Sequence, residues 1–301
     1  MKTRPDYISY GAVGLLGIVW GSAFALTEVA LRGFGAVEVV TGRATLAALV
    51  LVSVAYLSGQ GLPRTWRNWA WCALFGINSL AIPFTLLTWA QLSIDSAVAA
   101  VLISSSPLFV LVLSKAILGT PVGPRKWSGF SVGFIGLAVL IGPGVLRTVD
   151  APLLPQLACI GTAFCYALSA VLVRRMPELP PVQATAASQL SAAVVLIPFG
   201  VVGLTGNISF GVPLVALAVL GLVQTGGAQL LRYWTVKRTG AVFASMTSYL
   251  IPIWAGFVGV TLLDEPLTWR LVIGFGLILA GLLIAGNRPE AQRVAADSSA
   301  G

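Results

Sequence analysis

Two ionisable residues, Glu28 and Arg43, stand inside long apolar stretches of this 301-residue sequence. A charge inside a bilayer costs about 2.5–3.5 kcal/mol even on insertion scales, so each must be paired or wet. Gly14, Gly17, Gly21 and Ala25 recur at three- and four-residue intervals, marking one close-packing helix face that Glu28 continues. Glu28 lies about five residues and Arg43 about eight from the turn between them, a depth difference of about 5 Å at 1.5 Å per residue. An ion pair is therefore expected. It acts either as static architecture or as a coupling pair in which substrate, or a proton on Glu28, replaces the partner.

Uncharged polar groups cluster near helix breakers. Asn78 precedes Pro83, Ser104 precedes Pro107, Gln224 precedes Gly226 and Gly227, and Tyr249 precedes Pro252. Trp20 and Trp254 fall near the middle of apolar runs, whereas membrane tryptophans usually anchor at the interface. Such side chains can hold a zwitterionic substrate while backbone carbonyls freed at the breaks accept its ammonium. Trp20, Asn78, Ser104, Gln224, Tyr249 and Trp254 are the candidate substrate-binding residues. Pro83, Pro107, Gly226, Gly227 and Pro252 are the candidate hinges. The competing roles are capping or bridging by the polar groups and ordinary seam packing by the breakers.

Other chemistry is excluded. Histidine is absent, which removes Ser-His-Asp catalysis, histidine-ligated metals and histidine proton relays. Cys72, Cys159 and Cys165 are odd in number and match no metal spacing, so they read as small buried hydrophobes. No phosphate-binding G-x-x-x-x-G-K-[ST] loop occurs. No catalytic residue, metal or cofactor is expected, and the chain is not read as an enzyme. The net charge of +8 forms no basic stripe, so no nucleic-acid partner is expected.

The elements that must position these residues are membrane helices. Hydrophobic residues make up 57% of the chain and charged ones 9%, far from the roughly 25% charged of soluble domains. Apolar runs near the spanning length cover 8–31, 36–58, 68–91, 95–118, 125–145, 152–173, 182–204, 212–235, 240–263 and 268–287. The first run exceeds a signal-peptide core, so it is expected to be retained. Alternate loops carry twelve and three Lys or Arg residues, which places both termini in the cytoplasm of a bacterial-type inner membrane. Trp89 and Trp234 read as interface residues and Lys115 and Arg232 as snorkelling cations, while Asp264 and Glu265 are expected to cap the helix that follows them.

A shift of 145 residues carries Gly76 onto Gly221, Trp89 onto Trp234, Pro107 onto Pro252, Arg125 onto Arg270 and Gly136 onto Gly281. Five helices per copy is odd, so the copies are expected to be inverted, the architecture of alternating-access transporters. The expected fold is an all-α polytopic membrane protein of ten transmembrane helices in two inverted repeats, 1–145 and 150–287, with a disordered cytoplasmic tail, 288–301.

Trp20-Gly21-Ser22-Ala23-Phe24, Arg43, and a doubled segment resemble the EamA branch of the drug/metabolite transporter superfamily. The doubled segment runs Pro107…Leu118-Gly119-Thr120-Pro121…Gly129…Gly136, then Pro252…Leu263-Asp264-Glu265-Pro266…Gly274…Gly281. Thr120 departs from the glutamate usual before the first proline. The resemblance implies two five-helix repeats and efflux of amino acids or related metabolites. The function expected is secondary-active export, with import, exchange or a membrane enzyme acting on lipid as alternatives. The partners expected are a small-molecule substrate and the lipid bilayer, with a homodimer left open.

Overall fold

The computed structural model describes residues 6–119, 123–141, 153–203, 210–239 and 247–285. Among them there are helices and no strands. In chain order these are α1 (Tyr7–Leu31), α2 (Ala36–Leu57), α3 (Trp66–Ala90), α4 (Ser96–Leu118) and α5 (Pro124–Ile141). There follow α6 (Leu153–Arg175), α7 (Pro181–Gly203), α8 (Val212–Val236), α9 (Thr247–Leu262) and α10 (Trp269–Ala285). Seven of them, α1–α4 and α6–α8, are long and apolar enough to cross a membrane; α5, α9 and α10 contain shorter apolar helices. The expected run 240–263 is helical from Thr247, its first residues lying outside those described, as does the tail 288–301.

Local chemistry sets the helix ends. Asp6 caps α1 by accepting the Ser9 N–H at 3.0 Å and the Ser9 hydroxyl at 2.6 Å, and it pairs with Arg238 at 2.6 Å. Those bonds hold the Asp6 carboxyl well below the usual range. Gly119 ends α4 with φ 66°, a left-handed turn that a residue without Cβ adopts freely.

Lipid tails are as apolar as leucine, so close backbone approach and hydrogen bonds must hold such helices together. α1 packs on α8 and α9, and α6 packs on α3 and α4. α2 packs on α7 and α8, α7 on α2 and α3, and α5 on α10. Adding five to every label, counted cyclically, carries these largest contacts onto one another, whereas the smaller ones of α4 with α1, α5 and α10 and of α1 with α2 have no counterpart of the same extent among the described residues. The glycine contacts follow the same rule. A Cβ on Gly76 would strike the Ser188 backbone, and one on Gly221 would lie 3.2 Å from the Arg43 carbonyl and 2.5 Å from Leu46 Cβ. Gly136 faces the Gly274 carbonyl, while Gly281 faces that of Gly129.

This seam predicts a stability difference between two glycines. A Cβ at Gly136 would lie 2.7 Å from both the Gly274 carbonyl oxygen and Leu277 Cβ, so Gly136→Ala forces α5 and α10 apart. It should cost about 1–3 kcal/mol, seen as a lower thermal midpoint of the purified protein. Gly276→Ala meets nothing within 4 Å and should be neutral or stabilising.

Candidate functional site

Helix breakers shape two wide turns. In α3 the segment Ile77–Ala81 is π-helical, and the Ile82 N–H reaches back to the Ile77 carbonyl. Pro83 follows directly; it lacks an N–H and its ring crowds the carbonyl four residues back, so a widened turn relieves the clash. In α8 the π-helical segment is Leu220–Gly227, which ends on Gly226 and Gly227. A shift of 145 residues carries 77–81 to 222–226, so the two wide turns occupy repeat-related positions. In α4 the break falls at Ser104 and Ser105, just before Pro107. Around Pro252 the helix is continuous from Thr247 to Leu262, so this pair of breakers does not produce matching breaks among the described residues.

The second wide turn gathers several expected residues. Trp20 Nε1–H donates to the Gln224 carbonyl at 3.0 Å. Two residues further along α1, the Ser22 hydroxyl accepts from Trp254 Nε1–H at 2.8 Å. Gly21 makes this possible, because a Cβ there would lie 2.8 Å from the Ile251 carbonyl and 3.0 Å from Trp254 Cβ. Gln224 Oε1 is buried and has no hydrogen-bond partner among the described residues. Arg232 lies over the Trp20 ring, its guanidinium carbon 5.9 Å from the ring centroid.

Asn78 and Ser104 are engaged locally. Asn78 Nδ2 donates to the Cys165 carbonyl at 2.9 Å and to the Ser169 hydroxyl at 2.7 Å, bridging α3 to α6. The Ser104 hydroxyl donates to the Val101 carbonyl at 2.6 Å. The Tyr249 side chain lies outside the described residues. Pro252 lines an apolar groove of about 400 Å³ between α4, α9 and α10, walled by Val101, Phe257, Leu271 and Phe275.

The expected Glu28–Arg43 pair is not formed. Glu28 pairs with Arg32, one turn further along the chain, at 3.2 Å. Arg43 reaches to α8 instead, where its Nε–H donates to the Thr225 hydroxyl at 2.7 Å, and its guanidinium covers the Phe84 ring at 4.1 Å. The helix faces differ from the expectation, because α2 turns Arg43 towards α3 and α8.

A polar cluster that the sequence did not reveal closes the end of the bundle carrying the 32–35 turn. Glu265, in the turn before α10, accepts the Ser96 N–H at 2.7 Å and the Ala97 N–H at 2.9 Å. It thus caps α4, from the other half of the chain, and not its own helix. The hydroxyl of Thr268 takes that second role, accepting the Leu271 N–H at 3.3 Å. Ser96 Oγ–H also donates to Glu28 at 3.4 Å, and Gln91 Nε2–H donates to the Phe24 carbonyl at 2.9 Å. Burial raises Glu265 above the usual carboxylate range although its two backbone hydrogen bonds pull the other way. Burial also raises Asp95, with the neighbouring Glu28 adding to it. The one sequence signal was the Glu265-Pro266 step itself, which carries no information about a partner 169 residues away.

At the opposite end, Arg238 meets Asp6, Arg125 Nε–H donates to the Ile284 carbonyl at 2.8 Å, and Arg175 Nη2–H donates to the Ile117 carbonyl at 2.6 Å. These three loop cations lie at the end away from the 32–35 turn.

The pattern of the EamA-like transporter family matches residues 9–142 and, a second time, 153–286. An uncharacterized transporter of Archaeoglobus fulgidus is 27% identical over 88% of this chain and 94% of its own length. A protein of Streptantibioticus cattleyicolor named "probable terminal-alkyne amino-acid exporter" is 24% identical over 94% of each chain. The inner membrane transporter YedA of Escherichia coli is 25% identical over 94% of this chain and 92% of its own. A solved crystal structure superposes with a TM-score of 0.66 at 20% identity, covering 91% of this chain and 95% of the other, and speaks for the fold alone.

Proposed function

We propose a transport mechanism for a chain that belongs to the EamA-like transporter family and is a membrane transporter, not an enzyme: secondary-active export of amino acids or related small metabolites by alternating access. Ten membrane helices form two inverted five-helix repeats in this reading, with both termini cytoplasmic in a bacterial-type inner membrane. The mapping of the largest helix contacts onto one another and the exchanged glycine contacts support a two-fold repeat, which five spanning helices per copy would make an inverted one. The placement of Arg125, Arg175 and Arg238 at one end supports the orientation.

The observation that carries the mechanism is the pair of wide turns at 77–81 and 220–227. Discontinuities at corresponding positions of two halves frame substrate sites near the midplane, because backbone groups freed there can be satisfied by a solute. Trp20 and Gln224 border the second turn, Trp254 meets α1 at Ser22, and in this reading the three form the site, with Ser104 and Tyr249 on neighbouring helices. The wide turns at Pro83 and at Gly226-Gly227, with the prolines of α4 and α9, act as hinges. The cluster of Glu265, Ser96 and Glu28 closes one access route. The substrate class takes its support from the named amino-acid exporter.

Export has a direct test. In inside-out membrane vesicles the lumen corresponds to the cell exterior, so the chain should drive saturable uptake of at least one labelled amino acid. Uptake equal to that of vesicles without the chain would overturn amino-acid export.

A further inference from the structure

We infer that Arg43 is the docking point for the carboxylate of the transported solute, an inference that rests on the transport reading above. Arg43 is 7% exposed in a segment read as membrane-spanning, and no carboxylate pairs with it among the described residues. Three described acids are engaged elsewhere: Glu28 with Arg32, Glu38 with the Gly35 N–H, Glu265 with the start of α4. A cation buried in this way calls for an anion, and the anion that a transporter brings to such a place is its solute.

The geometry prepares the guanidinium for that task. Its Nε–H is held by the Thr225 hydroxyl, which is itself fixed by donating to the Leu220 carbonyl at 2.9 Å. Phe84 covers one face. The two terminal nitrogens make no hydrogen bond to any described residue, and together they form the planar fork that fits a carboxylate with two parallel bonds. Tyr166 of α6 packs into the same apolar cluster as Phe84.

Gln224 adds the complementary half. It neighbours Thr225 on the same wide turn, and its buried Oε1 has no partner among the described residues. An acceptor on the turn that also anchors the cationic fork through Thr225 suits a solute with an ammonium next to a carboxylate. The substrate class is therefore a compact α-amino acid, and Arg43 sets the preference for the free acid over its amide.

The test uses the purified full chain in lipid nanodiscs, with L-alanine, L-leucine and L-phenylalanine as probes, each against its amide. At least one acid should raise the thermal midpoint saturably, with the matching amide weaker by roughly tenfold or more. Arg43→Gln should abolish the response. Arg43→Lys, which keeps the charge but loses the fork, should weaken it by roughly tenfold. Thr225→Val leaves Arg43 in place but unanchored, and should fall between wild type and Arg43→Lys. If acid and amide bind alike, if no acid binds, or if Arg43→Gln binds as tightly as wild type, Arg43 is not the docking point. Saturable flux of an amide as fast as of its acid would remove Arg43 but leave transport standing. Carboxylate binding that disappears in Arg43→Gln, in a protein that carries out no flux, would remove transport but leave the anion site.

Discussion

Glu265→Ala should lower the thermal midpoint of the purified protein by roughly 5 °C or more and strip most of its transport activity. The carboxylate takes up two backbone N–H groups at the start of α4, at 2.7 and 2.9 Å, from a residue that is 8% exposed. Each buried donor left without an acceptor costs about 1–3 kcal/mol. Asp95, at the capping position itself, makes no side-chain cap, so nothing nearby takes over. Glu265→Gln turns its amide nitrogen towards one N–H but also removes the buried charge, so its effect should be far smaller. Asp264→Asn is the control, because Asp264 is exposed. A Glu265→Ala protein that melts and transports like Asp264→Asn would show that the contact between the two halves is incidental.

The same carboxylates give the closed end a pH dependence whose sign is fixed. Burial raises Glu265 above 4.5 and Asp95 above 3.8, so the folded chain binds these protons more tightly than the unfolded one does. Stability at this end should rise as pH falls through the raised values and be lost as pH climbs back through them. Glu265→Gln should flatten that slope.

The second large effect separates two residues that look equivalent in the sequence. Gln224→Ala should weaken substrate affinity by roughly one to two decades, the loss of a hydrogen bond to a charged group of about 1.5–3 kcal/mol, while the fold survives. Its side-chain oxygen has no partner to lose among the described residues, and its structural bond, to Trp20, is made by the backbone carbonyl. Asn78→Ala should do the reverse. Its amide donates twice across to α6, so its removal should lower stability and leave the affinity of the folded fraction close to wild type. Affinity unchanged in Gln224→Ala, or lost in Asn78→Ala at unchanged stability, would reverse the assignment.

Much of this was legible from residue order because membrane helices announce themselves by length and apolarity. The spans read from hydrophobic runs agree with the helices to within a few residues wherever both are described; the run 36–58, for example, becomes Ala36–Leu57. Helix breakers carried the next layer of information. Pro83 and Gly226-Gly227 marked two places where the backbone widens, although a sequence does not say that the result will be a π-turn.

What residue order did not carry was which helix face meets which. Depth along the membrane follows from counting, and by that measure Glu28 and Arg43 matched. Rotation about the axis depends on packing partners far away in the chain: the approach of Gly221 to the Arg43 backbone draws α2 against α8, so Arg43 meets Thr225, and Glu28 turns back to Arg32. Glu265 shows the same limit. Local rules assign a carboxylate before Pro266 to its own helix, whereas the fold brings it to a helix start 169 residues away.

Solute counterflow separates alternating access from a pore, because a carrier with one site exposed alternately to each side concentrates labelled substrate against a preloaded pool and a channel does not. Proteoliposomes holding the purified chain would be preloaded with unlabelled amino acids, nucleosides or sugars in parallel and diluted into the labelled form of each. Transient, saturable accumulation is expected for at least one amino acid, weakened in Gln224→Ala and in Glu265→Ala. No accumulation with any amino acid, or flux that rises linearly with concentration, would contradict amino-acid transport by alternating access.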